Sequence, residues 1–253
     1  MKITTLDHQY PLQPIAPLGR IGLVALATDI NIEQDLRRMY PQGVEIFTSR
    51  VRNYNPVSIK NLQRMRETLT ATADTILPGT PLDALIFGCT SGAIALGEEE
   101  VERLIQISCP GVPVTNPFSA ALAAFKVNGI SRISLLTPYA HAVNQAVVAT
   151  FSEHGIEVLS IAGFGFENDT AMSFITPRDI EQGAQKICHP QAQGLFLSCT
   201  ALQASPVIAS LERILKIPVF SSNQVLVWHS LQLINQRASI QGFGHLLSNN
   251  HSD

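Results

Sequence analysis

The chain has 253 residues, 45% of them hydrophobic, and a formal net charge of -3. That length fits one large α/β domain or two small ones with a substantial core. It carries no basic stripe, no acidic tail and no apolar run long enough to span a bilayer, so neither a nucleic-acid nor a membrane partner is expected.

The stretch 1–18 holds Asp7, His8 and several prolines, lacks the apolar segment of a secretory signal, and reads as a loosely ordered lead-in. An apolar run at 20–27 predicts a buried parallel strand, followed by a helix over 32–39. The β-branched and aromatic stretch 44–51 predicts a second strand. Ser58 caps an amphipathic helix expected to run to about 77 and to end at Pro78-Gly79. A third strand at 83–88 delivers Cys89. Gly97 with Glu98, Glu99 and Glu100 opens the next helix, its acids placed where the macrodipole favours them. A fourth strand at 111–115 leads to Asn116-Pro117, which start a helix through Lys126.

The pattern then restarts. A strand at 132–136 precedes a helix expected to begin at Thr137-Pro138 and reach about His154. A strand at 156–162 is followed by an expected Gly-rich, polar loop at 163–170. Thr176-Pro177 start a helix to about Cys188, a strand at 194–198 delivers Cys199, and Ser205-Pro206 start a helix through Leu215. A strand at 217–220 and a helix at 223–235 complete the set, and the polar tail after Gln236 is expected to fray.

Three landmarks recur at near-constant spacing: Arg20-Ile21 with Arg132-Ile133, Cys89 with Cys199, and Pro113-Val114 with Pro218-Val219. They mark an internal duplication. Its prediction is an α/β fold of two pseudo-symmetric lobes, each a parallel sheet flanked by helices, with the active site in the cleft between them. A lone cysteine at a strand end usually packs as a small hydrophobe. A Cys-Thr pair at equivalent ends of both halves points instead to chemistry. One thiolate can take a proton from a carbon beside a carboxylate while the opposite thiol returns one to the other face. Alternatively, a thiolate adds to an activated double bond, which then rotates. Either route calls for a thiol pKa below the ordinary range. Thr90, Ser91, Gly92, Thr200 and Ala201 are the expected substrate-binding residues beside the sulfurs.

Cys109 and Cys188 lack such partners and read as structural. With four cysteines in neither metal spacing nor a dense framework, reduced thiols and a cytoplasmic chain are expected. The histidines are scattered, so no metal site is expected. Gly163-Phe164-Gly165 and Gly242-Phe243-Gly244 lack the third glycine of a dinucleotide fingerprint, so no cofactor is expected either.

These residues resemble the aspartate/glutamate racemase superfamily. The resemblance rests on Ala27-Thr28-Asp29-Ile30-Asn31, Thr48-Ser49-Arg50-Val51, Cys89-Thr90-Ser91-Gly92, Leu136-Thr137-Pro138-Tyr139, Ser198-Cys199-Thr200-Ala201-Leu202 and Ser221-Ser222-Asn223-Gln224. It is nearest to the branch of maleate cis–trans isomerase, arylmalonate decarboxylase and the EutA proteins of ectoine utilisation, and most like EutA. It implies a first lobe over 18–127, with 217–247 packing back onto it, and a second lobe over 128–216. It also implies Cys89 and Cys199 as the catalytic pair, with substrate contacts from Tyr139 and Asn168. Maleate isomerases resemble this chain with an asparagine where Asp29 stands. An anion there would repel a second carboxylate and suit a substrate bearing an ammonium or N–H group, whereas Asp29 reads equally as the cap of the helix at 32. The decarboxylases keep only the second-lobe cysteine, so two thiols argue against that chemistry.

The leading reading is therefore a cofactor-independent, two-cysteine racemase or isomerase of a small amino-acid-derived carboxylate, acting as a homo-oligomer, with ectoine breakdown implied by the resemblance. The alternatives are a maleate-type isomerase or arylmalonate-type decarboxylase, and a non-catalytic protein that binds small carboxylates.

Overall fold

The computed structural model describes residues 1, 3–6 and 12–249; the lead-in expected over 1–18 lies partly outside the described residues. Two parallel sheets form, each of four strands. The first contains β1 (Gly19–Leu26), β2 (Val44–Val51), β3 (Ala84–Gly88) and β4 (Val114–Thr115), in the order β2-β1-β3-β4. The second contains β5 (Arg132–Tyr139), β6 (Glu157–Phe166), β7 (Gly194–Leu197) and β8 (Val219–Ser221), in the order β6-β5-β7-β8. The order repeats strand for strand, as the duplication requires. The inner strands β1, β3, β5 and β7 are buried almost throughout because helices cover both faces of each sheet.

The first half carries α1 (Ile32–Met39), α2 (Ile59–Gln63), α3 (Leu69–Asp74), α4 (Thr90–Leu96), α5 (Glu98–Gln106) and α6 (Pro117–Val127). The second carries α7 (His141–Glu153), α8 (Asp169–Met172), α9 (Pro177–Ile187), α10 (Ile208–Leu215), α11 (Ser222–Leu233) and α12 (His245–Ser248).

The lobes exchange helices. α6 follows the last strand of the first sheet, yet its Phe118 and Phe125 pack into the second lobe. Phe118 meets Phe151 at 4.9 Å between ring centroids, and Phe125 meets Phe196 at 5.8 Å and Phe220 at 5.2 Å. Reciprocally, α11 follows the last strand of the second sheet and packs on α6, α1 and β3. The strand at 219–221 pairs with β7, so it belongs to the second sheet. The return to the first lobe, expected from 217, starts only with α11.

Four further expectations are corrected. The helix expected from 58 to 77 breaks into α2, a 3-10 turn at Arg64–Glu67, and α3. Its second half is rich in threonine, whose hydroxyls bond backbone carbonyls (Thr72 to Thr68, Thr75 to Thr72) and whose branched side chains disfavour helix. Thr137-Pro138 do not start a helix. β5 runs on to Tyr139, with Pro138 at a shift in its register with β6, where a missing N–H is tolerated. The loop expected from 163 begins only after Phe166, because β6 continues beside the lengthened β5. The tail is ordered through α12, whose Leu246 and Leu247 are buried; Gln224 donates to the Phe243 carbonyl at 2.6 Å.

Candidate active site

Directly after β3 comes Cys89, which caps α4 through its sulfur: the Gly92 amide donates to Cys89 Sγ at 3.2 Å. The sulfur takes the place of a cap hydroxyl. Gly92 is needed for this closeness, since a Cβ there would lie 2.8 Å from the sulfur and 2.5 Å from Met65. Gly92 thus positions the thiol; it is not among the residues lining the cavity. At the equivalent end of β7, Cys199 enters a turn in which the Ala201 amide faces its sulfur. Both thiols open into one narrow cleft, lined also by Thr90, Ser91, Tyr139, Thr200 and Ala201.

Tyr139 lines the same cleft, its hydroxyl facing Cys199 and Ser91. The bulged end of β5 holds it. Tyr139 N donates to Thr137 Oγ1 at 3.2 Å, and Asn144 Nδ2 donates to the Tyr139 carbonyl at 3.1 Å. Gly163 must be glycine for this packing, because a Cβ would lie 2.4 Å from that carbonyl oxygen.

Asp29 lines the cleft but is fully used by the protein. Oδ1 accepts from the Asn31 and Ile32 amides at 2.8 and 2.9 Å, and Oδ2 accepts from Thr200 Oγ1 at 2.8 Å. Asp29 thus holds the first amides of α1, whose N-cap is Asn31, and adds a bond across the lobes. Asn168 is not in the cleft. It is exposed and caps α8 by accepting from the Ala171 amide. Its neighbour Asp169, which sequence reasoning passed over, takes the place expected of Asn168. Asp169 lines the cavity, is 8% exposed, and receives hydrogen bonds from Asn53 Nδ2 and Thr28 Oγ1. The only signal for it was an acid directly beside the residue singled out.

A buried polar clamp behind the cleft was also missed. Asn31 Nδ2 donates to the carbonyls of Thr200 and Leu202, and Asn223 Nδ2 to that of Thr200. Asp35, with no exposure, accepts from Ser205 at 2.8 Å and Asn223 at 3.1 Å. Thr90 Oγ1 pairs with Ser222 Oγ at 2.9 Å. One buried network thus holds the 200–202 turn against α1 and α11.

Electrostatically the cleft is anionic. Its lining contains two carboxylates and two thiols, and no lysine, arginine or histidine. Burial pushes Asp169 up to about 6, with the Asp29 charge adding to it and the Asn53 bond opposing it. Burial also raises Cys89 well above the ordinary thiol range, helped by the Asp169 charge. Cys199 is pushed up to about 12 by burial, against the relief provided by Tyr139. The low thiol pKa expected from the sequence is therefore not found: apolar walls and neighbouring carboxylates disfavour a thiolate.

A stability prediction follows from Asp169. Its native pKa lies above the ordinary carboxylate value, so the native state holds the proton more tightly than the unfolded chain. Its contribution to stability is greatest below about pH 4, falls as pH rises toward 6, and stays low above that. Asp169→Asn removes the charge and keeps an acceptor for Asn53. Relative to wild type, the variant should gain roughly 2–3 kcal/mol between pH 4 and pH 8. Urea titrations at both pH values measure this, and an unchanged difference would refute it.

Among the described residues no cluster of three or more His, Cys, Asp or Glu is arranged to hold a metal ion, and no helix is long and apolar enough to cross a membrane.

Twin lobes, a shared strand order and a cysteine at each equivalent strand end define a protein of the aspartate/glutamate racemase-like class. Within it, the chain belongs to the arylmalonate decarboxylase family, whose model matches residues 22–247. It is 27% identical over 139 residues to an arylmalonate decarboxylase from Bordetella bronchiseptica, a match spanning 54% of this chain and 58% of that one. It is 19% identical to a maleate isomerase from Alcaligenes faecalis over 90% of this chain and 96% of that one. A maleate isomerase from Pseudomonas putida S16, solved with maleate, superposes with a TM-score of 0.84 at 18% identity, covering 91% of this chain and 97% of that one. A Nocardia farcinica maleate cis–trans isomerase carrying a covalently bound succinylcysteine intermediate superposes at 0.83 with 18% identity, covering 93% and 99%. These relatives are enzymes, and the structural matches share the fold.

Proposed function

We propose that this protein is a cofactor-independent isomerase that racemises a small amino-acid-derived carboxylate with Cys89 and Cys199. The carrying observation is that both sulfurs, delivered from equivalent ends of two related sheets, open into one enclosed cavity. One sulfur, as thiolate, removes the Cα proton, and the electron pair spreads into the carboxylate. The opposite thiol then gives its proton to the other face. The two sulfurs end with their protonation states exchanged, and the reverse reaction restores them. The substrate carboxylate lies toward Thr90, Ser91 and the turn at 200–201, away from Asp169. The cleft by itself keeps both thiols protonated, so one of them first gives its proton to solvent, and a cationic group of the substrate beside Asp169 favours that ionisation by offsetting the carboxylate charge. Ectoine-breakdown intermediates remain the substrate class proposed from the sequence resemblance.

Alkene isomerisation is the second reading. The maleate isomerase solved as a succinylcysteine adduct favours it, because a single thiolate adding to a double bond would fit the same cleft. The experiment is incubation of the enzyme in deuterated water with D- and L-aspartate, asparagine, alanine, 2,4-diaminobutyrate and maleate. The expected result is deuterium at Cα with interconversion of enantiomers. Conversion of maleate to fumarate with no exchange in any amino acid would replace racemisation by alkene isomerisation.

A further inference from the structure

We infer that Asp169 is the specificity-determining residue of the cleft and receives a cationic or N–H-bearing group of the substrate at its Oδ1. The inference rests on the isomerase reading for the location of the site, not for its chemistry. Both hydrogen bonds that the carboxyl receives end on Oδ2, from Asn53 and Thr28, whereas Oδ1 accepts from no described residue. The residue is more than nine-tenths buried and lines the cavity. Asp169 Oδ1 is not among the fully buried unpartnered atoms of the described residues, so it is open to solvent in the cleft, where a donor on a ligand can replace water. Asp29, the other acid of the lining, has both oxygens occupied and cannot play this part. No basic side chain lines the cavity, so a substrate with a second carboxylate would bring like charge against Asp169. An ammonium or amide N–H would instead complete its hydrogen bonding. Neutralising Asp169 also removes one of the charges that hold Cys89 in its thiol form, so the same contact that selects the substrate helps to ionise the sulfur.

Asp169 is held in place across the lobes. Its own amide donates to Asn55 Oδ1 at 3.1 Å, and the Val57 amide donates to the Glu167 carbonyl at 2.7 Å. The first-lobe loop therefore presents the acid from the far wall of the cleft. Asn53 and Thr28 both bond Oδ2, which leaves Oδ1 as the oxygen open to a ligand.

The test is binding, measured by calorimetry on the full chain at pH 8. The probes are alanine, 3-aminopropionate, 4-aminobutyrate and 5-aminopentanoate against malonate, succinate and glutarate. At least one amino acid should bind roughly ten-fold more tightly than the dicarboxylate of the same length. Asp169→Asn should abolish or reverse that preference. Dicarboxylates binding wild type as well as the amino acids do would overturn the inference. So would a preference unchanged in a folded Asp169→Asn protein. If that variant does not fold, the wild-type comparison alone decides. An amino-acid preference without any deuterium exchange would sink the racemase reading and leave this one standing; exchange without the preference would do the opposite.

Discussion

Replacing either Cys89 or Cys199 with alanine should lower the rate of enantiomer interconversion by roughly 10²- to 10⁴-fold, the range for loss of one proton-transfer group. In the proposed mechanism each thiol serves one face of the substrate, so neither can stand in for the other. The double variant should be little worse than either single one, since residues that act as a unit do not contribute additively. The fold should survive. Both side chains are small, and the cost of removing a sulfur at these sites is on the order of 1 kcal/mol. Cys89→Ala also deletes the cap of α4, so a slightly larger loss of stability is expected there than for Cys199→Ala. Chiral chromatography of the reaction mixture, with circular dichroism as the check on folding, measures both effects. Full activity in either folded variant would end the two-thiol mechanism.

Phe125→Ala should destabilise the protein by roughly 3–5 kcal/mol, the usual cost of a large aromatic truncated in a packed core. Phe125 is fully buried on α6 and its ring contacts Phe151, Phe196 and Phe220, which belong to α7, β7 and β8 of the other lobe. The cavity would open at the joint between the lobes, where the walls come from different units. Those walls belong to β7 and β8, and β7 delivers Cys199. The variant should therefore lose activity at temperatures where most of it is still folded. Urea unfolding gives the stability, and a loss below about 1 kcal/mol would show that the joint repacks. For comparison, Val147→Ala in the interior of α7 removes less volume, so a smaller loss of stability is expected.

The repeat was visible in the sequence because a parallel strand buried on both faces must be an apolar run. Two such runs ending in Cys-Thr at matching positions are the mark of a duplicated unit. The strand order, the helix caps at Asn116 and Ser58, and the cleft between twin lobes all follow from that local pattern. The errors share one cause. Thr137-Pro138 looks like a helix start because a hydroxyl before proline usually caps one, but here the Thr137 hydroxyl bonds Asn144 and the backbone amide of Tyr139. The partner lies seven residues on, so the dipeptide alone does not specify which use prevails. Asn168 and Asp169 differ by one position in a short helix, and only the fold decides which of them turns inward. Asp29 was legible as a partner for the first amides of α1, whereas its bond to Thr200, 171 residues away, was not.

The sequence by itself determined the duplicated α/β architecture and the two cysteines, because burial and periodicity are local properties of the chain. Only the tertiary structure decided the character of the site: an anionic, enclosed cleft with both thiols held protonated and Asp169 offering an open oxygen. The physical reason is that a charge's effect depends on its distance to other charges and on the water excluded around it. In this fold those are set by contacts between residues more than a hundred positions apart, such as Asn53 with Asp169 and Asn31 with Thr200.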